Sequence, residues 1–380
     1  VSPAGFNSIT IVGVGLIGGS LAAAVHALDG GPHVRGVDVD SETVRRVLER
    51  GFADEALTPD EAEAAGWFSG QDDELVVLAT PASIAEEWLV RLGDAGFAGT
   101  VTDVASTKQG VLAAAQSALG TGRFVGGHPM AGSERSGIEA ASVDLFRGAY
   151  YVLTPSADTD MSVFRKMHRL VTSIGARAVT VDAVAHDEAV AVVSHVPHVA
   201  AAALVALAKD RAGESDELLR LAAGGFKDTT RIAAGSPGLW TGILLDNADA
   251  VAKGLDDLGA MLGRVSSAVR ERDPEVINAW LAGAAEVRSG LPAQWVPATE
   301  QLSELTIPVH DRSGVISEVA AMVGRHGCNI ESIEIDHRSE DSADLVLVLT
   351  DEGDLDMLLA DLGRSGYEPL LKALDSGEGA

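Results

Sequence analysis

Only one cysteine, Cys328, occurs in 380 residues. Neither an intrachain disulfide nor a multi-cysteine metal site can form, which favours a reducing compartment. Basic residues are scarce too: 28 Lys and Arg stand against 56 Asp and Glu, for a formal charge of −28. Such an exterior repels phosphate backbones and anionic lipid, which sets nucleic acid aside as a partner. The stretch Val1 to Phe6 has no basic segment leading into an apolar run, so it reads as neither signal nor transit peptide. The least charged stretch, Ala189 to Ala208, is interrupted by Ser194, His195, Pro197 and His198 and reads as a buried helix rather than a membrane span. These absences describe a soluble, cytoplasmic chain with no membrane partner. They also make its few cations informative, because an anionic substrate must be met by local positive groups inside a cleft.

What is present is a globular composition, 46% hydrophobic, in a chain too long for one hydrophobic core, so two or three domains are expected. From Ser8 to about Val181 short apolar runs alternate with helical patterns, the sign of a parallel sheet covered on both faces. The predicted strands are Ile9–Val12, Val34–Val37, Leu75–Ala79, Thr100–Asp103, Phe124–Gly126, Tyr151–Leu153 and Ala178–Val181. After Asp182 Ala-rich segments with helical spacing run to about Ser289. The stretch Gly290–Pro297, with two prolines and a glycine, breaks that pattern as a linker. Beyond it the order is βαββαβ, in which Leu355, Leu358, Leu359 and Leu362 place one helix face on a four-stranded sheet. The expected fold class is therefore α/β: a Rossmann-type domain over 1–182, an all-helical substrate and dimerisation domain over 183–290, a linker over 291–301 and a ferredoxin-like domain over 302–375.

The first strand runs into Gly13-Val-Gly15-Leu16-Ile17-Gly18, a G-x-G-x-x-G turn opening an Ala-rich helix. Gly13 permits the tight turn, Gly15 lets backbone approach a pyrophosphate, Gly18 allows close helix–strand packing, and the helix N–H groups at Leu16 and Ile17 face the anion. The next strand ends at Val37–Asp38, twenty residues beyond Gly18. A carboxylate there hydrogen-bonds ribose hydroxyls and repels a 2′-phosphate, so NAD is favoured over NADP. Asp40 is a competing ribose contact, with a solvated loop position as its alternative.

Ligands of an open α/β sheet lie beyond the carboxyl ends of its strands. Three such places carry polar residues: Thr80–Pro81, expected to line the cofactor, Asp103 to Lys108, and Gly126 to Glu134. Through Gly127-His128-Pro129-Met130-Ala131-Gly132-Ser133-Glu134, Ser194-His-Val-Pro-His198 and Gly224-Gly-Phe-Lys-Asp-Thr-Thr-Arg231, the sequence resembles the prephenate dehydrogenase family over roughly residues 8 to 290. The resemblance implies that His128 is the catalytic histidine and Ser106 its partner at the substrate hydroxyl. It further implies that His198, Arg231, Lys227 and Ser194 bind substrate, and that Glu134 and Asp228 gate the pocket. Chemistry is consistent with those types: oxidising a ring C4–OH needs a base for the hydroxyl proton, and neutral imidazole suits physiological pH. Prephenate is a dianion, and Lys227 and Arg231, four apart, would share a helix face toward it. Without an H-E-x-x-H pattern or a ligand cluster, His195 and His198 do not read as a metal site.

The C-terminal segment resembles an ACT domain, through Pro308-Val-His-Asp311-Arg-Ser-Gly314-Val and Gly327-Cys-Asn329-Ile330, with Ser313 where the family often has proline. The resemblance implies an aromatic amino-acid effector, tyrosine foremost, held by Asp311, Gly314, Asn329 and Ile330, and a homodimer or higher homo-oligomer. The expected activity is oxidative decarboxylation of prephenate with NAD to 4-hydroxyphenylpyruvate. Arogenate dehydrogenase, which differs only in the substrate's side chain, and a catalytically silent amino-acid-sensing protein are the alternatives. A β-hydroxyacid dehydrogenase would share the layout but calls for a catalytic lysine and not for the His-Pro segment.

Overall fold

Eight short runs of Val, Ile, Leu and Thr pair into one sheet: β1 Ser8–Val12, β2 His33–Val37, β3 Glu55–Leu57, β4 Glu74–Leu78, β5 Thr100–Asp103, β6 Phe124–Pro129, β7 Tyr150–Pro155 and β8 Arg177–Thr180, in the order β3-β2-β1-β4-β5-β6-β7-β8. The structure is a computed structural model and describes residues 4–70, 73–120, 122–132, 135–212, 222–290, 302–310, 312, 314–339, 342–350 and 353–374. The linker 291–301 and the tail from Asp375 lie outside the described residues.

Strand pleating sends alternate side chains to opposite faces. Ile9, Ile11, Leu75 and Val77 join one apolar cluster, and Val12, Val37, Val76, Leu78 and Val101 join the other. The first face is covered by α1 (Leu16–His26), α2 (Ser41–Glu49) and α6 (Met161–Ser173), the second by α3 (Pro59–Ala64), α4 (Ala82–Asp94) and α5 (Gln109–Leu119). Two layers of helix on a sheet buried from both sides account for strands that read as continuous apolar runs.

Three differences from the sequence reading have local causes. Strand β3 is only Glu-Ala-Leu, too short for a periodic signal. The sheet is not wholly parallel: β7 runs antiparallel to β6, with no crossover helix between them, only a 3-10 turn at Ile138–Ala140. That return strand extends β6 past Gly126 through Gly127-His128-Pro129, residues that read as a loop, by pairing His128 with Val152 and Pro129 with Tyr151. His128 therefore lies within a strand rather than after one.

The chain divides into two units, one of Val1–Asp187, Ala234–Asp246 and Gln301–Ala380, the other of Glu188–Ala233 and Asn247–Glu300. The chain enters the second within α7 (Ala183–Val190), which passes through a π-helical turn at Ala191–His195 into α8 (Val196–Ala212). Pro197, with no N–H to give, follows at once, the place where a helix ladder is relieved by a wider turn. Among the described residues, helices Gly224–Thr230, Ala248–Glu271 and Pro274–Gly290 follow in the same unit. Gly254 lets Ala248–Glu271 approach α8, since a Cβ there would meet Val196 Cγ2 at 2.8 Å. Residues 183–212 form a helix long and apolar enough to cross a membrane by length and composition alone. The expected burial holds for Val190, His195, His198 and Ala201 but not for Val192, Val193 and Leu207, which are exposed.

In the first unit β9 (Leu302–His310), helix Val315–Arg325, β10 (Ile330–Ser339), β11 (Ser342–Thr350), helix Leu355–Arg364 and β12 (Leu370–Leu374) form the βαββαβ domain. Its antiparallel sheet has the order β10-β11-β9-β12. Leu305, Ile307, Leu345 and Leu347 face its two helices, and this core is continuous with the first cluster of the large sheet.

Candidate active site

Sheet order reverses between β1 and β4, and the crevice at that switch point is where doubly wound sheets bind nucleotides. Gly13, at φ +89°, makes the turn out of β1; a Cβ on it would stand 2.5 Å from Ala79 O, and one on Gly18 would stand 1.9 Å from Gly13 O. Both glycines are required by packing. Gly15 is different: nothing lies within 4 Å of where its Cβ would be. Open space at that one glycine, ahead of a helix N-terminus with no side-chain cap and no acidic residue in its first turn, suits an approaching anion. At the end of β2, Asp38 accepts the Val14 N–H through Oδ2 at 3.0 Å and the Asp40 N–H through Oδ1 at 3.0 Å. Asp40 itself caps α2, accepting from Glu42 N and Thr43 N, so its part is structural. After β4, the buried Thr80 Oγ1 has no hydrogen-bond partner among the described residues, and Pro81 caps the start of α4. Gly13, Gly15, Leu16, Ile17, Gly18, Asp38, Thr80 and Pro81 are thus brought to one edge of the sheet. They fit a dinucleotide.

Next along that edge a chain of polar groups holds His128. Its Nδ1 lies 2.8 Å from His186 Nε2, and His186 Nδ1 lies 2.8 Å from Asp187 Oδ1. His186 and Asp187 are 3% and 1% exposed. Burial alone would raise the Asp187 carboxyl, but hydrogen bonds from His186 and from the Gln109 and Lys108 N–H groups outweigh it and hold the group below the ordinary carboxylate value. An ionised carboxylate only accepts, so His186 carries its proton on Nδ1. His186 Nε2 in turn lies against His128 Nδ1, so the relay orients the His128 imidazole from its buried side.

The same Asp187 also closes the first turn of α5, and so sets the loop that carries half-buried Ser106. Beneath His128 lies a fully buried ion pair, Lys108 Nζ with Asp103 Oδ2. Asp103 Oδ1 accepts the Gly127 N–H at 3.1 Å, and Lys108 donates to Gly127 O at 2.6 Å. Both polar groups of the residue before the base are therefore clamped. Glycine is needed there, because a Cβ on Gly127 would meet Asp103 O at 2.6 Å and one on Gly126 would meet Thr154 Oγ1 at 2.2 Å. Burial pulls the Lys108 ammonium below its usual value, opposed by its attraction to Asp103. Sequence reasoning passed over His186, Asp187 and Asp103 as site residues; the one available signal was an adjacent His-Asp pair inside an otherwise apolar helical run.

The remaining expected substrate residues belong to the helical unit. Ser194 is half-buried in the π-turn and His198 is buried in the first turn of α8, where burial lowers its imidazole below the ordinary value and leaves it neutral at pH 7. His195 is buried, with its Nδ1 3.3 Å from Asn247 Nδ2, and is structural. Lys227 and Asp228 are exposed on Gly224–Thr230, and the helix tightens to a 3-10 turn beginning at exposed Arg231. Glu134 and Asp311 lie outside the described residues. Of the expected effector residues, Gly314 (φ +86°) has Ala157 O at 2.4 Å from its Cβ position, Asn329 and Ile330 are buried, and Ile330 O accepts from His168 Nε2 at 3.1 Å. Those turns are packed on the dinucleotide domain.

A protein that only senses a nucleotide has no use for an oriented imidazole at this edge of the sheet; fold and site together are those of a dinucleotide-dependent dehydrogenase. Family models match in the same order: prephenate dehydrogenase, nucleotide-binding domain, over residues 21–180; prephenate dehydrogenase, dimerization domain, over 182–283; and ACT domain over 303–365. Prephenate dehydrogenase of Bacillus subtilis is 35% identical over 88% of this chain and 90% of its own length. Prephenate dehydrogenase of Aquifex aeolicus, solved with hydroxyphenyl propionate and NAD+, superposes with a TM-score of 0.69 at 29% identity, covering 75% of this chain and 98% of that one. Synechocystis arogenate dehydrogenase gives a TM-score of 0.63 at 30% identity, over 74% of this chain and 99% of that one. The chain belongs to the prephenate dehydrogenase family.

Proposed function

We propose that the chain oxidises and decarboxylates prephenate to 4-hydroxyphenylpyruvate and CO2 in tyrosine biosynthesis, with His128 as the base. The observation that carries this reading is the His128–His186–Asp187 chain, which holds the His128 imidazole in one orientation at the carboxyl edge of the sheet. NAD, when bound at the glycine turn and Asp38, supplies the hydride acceptor. His128 Nε2 takes the C4 hydroxyl proton as the carbonyl forms, with Ser106 on the adjoining loop as partner at that oxygen. Loss of the C1 carboxylate as CO2 returns its bonding pair to the ring, and His128 hands the proton back to the phenolate oxygen. Protons and charge balance, so the base is regenerated each cycle. Arg231, Lys227, Ser194 and neutral His198 bind the substrate, with Glu134 and Asp228 at its entrance; Arg231 holds a carboxylate as a bidentate pair.

The working assembly in this reading is a homodimer formed through the helical domain, supported by exposed Leu262, Val269, Val276, Trp280 and Leu281 on helices Ala248–Glu271 and Pro274–Gly290. Domain limits at 182, 290 and 302, a cytoplasmic location and an aromatic amino-acid effector at the C-terminal domain belong to the same proposal. The test is NADH formation with prephenate and arogenate side by side. Turnover of prephenate is expected. Turnover of arogenate alone would move the chain to the other substrate, and turnover of neither would leave a silent binding protein.

A further inference from the structure

The ladder between β5 and β6 ends before the base is reached. Val101 and Thr102 pair with Phe124 and Val125, and β5 stops at Asp103. At Gly127, further along β6, side chains take the place of the missing strand partner: Asp103 Oδ1 accepts the Gly127 N–H at 3.1 Å, and Lys108 Nζ donates to its carbonyl at 2.6 Å. Buried backbone groups need such partners, and here each is supplied by a charged group.

Among the described residues Lys108 is the one buried lysine or arginine. Its ion pair with Asp103 is fully enclosed. A pair of that kind is often no more stabilising than an apolar filling of the same shape, so stability alone does not account for it. What Lys108 touches does. Its backbone N–H donates to Asp187 Oδ1 at 2.8 Å, the oxygen that also faces His186 Nδ1. One residue therefore grips both ends of the polar chain: its side chain holds the residue before His128, and its main chain holds the carboxylate that reaches His128 through His186.

We propose that Lys108 is a positioning residue for the oxidation, its ammonium standing in for a strand partner at Gly127 so that His128 is held at the distance and angle that proton transfer requires. Being enclosed, the ammonium acts on the reacting atoms only through His128. The proposal rests on the reading of His128 as the base.

The test is a double-mutant cycle of Lys108→Met and His128→Asn in the full-length enzyme, read by steady-state kinetics with prephenate and NAD and by thermal midpoints. A misplacement of about 1 Å can cost about a hundredfold in rate. Lys108→Met is expected to lose about that much in kcat, with the KM for NAD and for prephenate within about twofold of wild type. Added to His128→Asn, it should cost less than about threefold more, because the group it positions is already gone. Losses that multiply in the double variant would show that Lys108 acts apart from the base, and a raised KM for prephenate at unchanged kcat would make it a binding residue; either overturns the proposal and leaves the base in place. Since an unpaired Asp103 destabilises the fold, Asp103→Asn/Lys108→Met, with no buried charge left alone, is measured beside them. Its midpoint should lie above that of Lys108→Met while kcat stays low, because the Gly127 carbonyl still lacks its donor. A kcat that returns with the midpoint would make the pair structural only. Wild-type turnover in His128→Asn alone would remove the base, and the positioning role with it.

Discussion

Asp38 is tied by both carboxylate oxygens, to Val14 N and Asp40 N, which hold it in place at the carboxyl end of β2, where the proposed NAD site has its ribose. Asp38→Asn removes the repulsion of a 2′-phosphate while keeping an acceptor. The ratio of kcat/KM for NAD over NADP should fall, and an unchanged ratio would place the discrimination elsewhere. Arg231 is the proposed substrate anchor. Losing a charge-assisted pair costs about 1.5–3 kcal/mol, so Arg231→Ala should raise the KM for prephenate about ten- to a hundredfold. An unaltered KM in a folded variant would show that the carboxylate is anchored by another group. At this scale the sequence was most informative where chemistry is local: the glycine turn, Asp38 and His128 sit in contiguous motifs. His186 and Asp187 do not, because 58 residues separate His128 from His186 and only tertiary folding joins them. Nor could sequence show Asp40 as a helix cap rather than a ribose contact, since either use needs the same loop carboxylate.

Among the elements, β5, β6 and the start of α5 behave as one piece because the Lys108–Asp103 pair stitches them across Gly127. Removing one partner of a buried pair leaves an uncompensated charge, a loss of about 3–5 kcal/mol. Lys108→Met should therefore lower the thermal midpoint by several degrees, and a midpoint within a degree of wild type would mean that water reaches Asp103. Sequence patterning anticipated seven of these strands, because buried strands write themselves as apolar runs. It stopped β6 at Gly126, since Gly, Gly and Pro are turn residues; what keeps 127–129 extended is the antiparallel partner β7, which no local pattern announces. Sequence showed Pro197 only as an interruption of a buried helix, though the π-turn before it determines where Ser194 and His198 stand on that helix.

For the whole molecule, the shared core of the large sheet and the C-terminal domain matters more than the linker that separates them in sequence. Burial depresses the imidazole of His168 below its ordinary value, against the raising effect of its bond to Ile330 O. A histidine with a lowered folded value stabilises fully above its unfolded value, near 6.5, and that contribution is lost as pH falls through the folded value. Thermal midpoints should thus drop on acidification below about pH 6.5, and less so in His168→Gln. Parallel pH curves for the two proteins would show that the seam does not sense this proton. Deletion after Pro297 should lower stability as well as remove regulation, because it exposes apolar core. The account as a whole is tested most directly by the pH dependence of prephenate turnover in wild type and His128→Asn. Wild-type kcat should fall on the acid side as one group takes up a proton; His128→Asn should lose about 10²–10⁴ in kcat together with that limb, at an unchanged KM for NAD. Wild-type turnover with the same acid limb in His128→Asn would contradict the account.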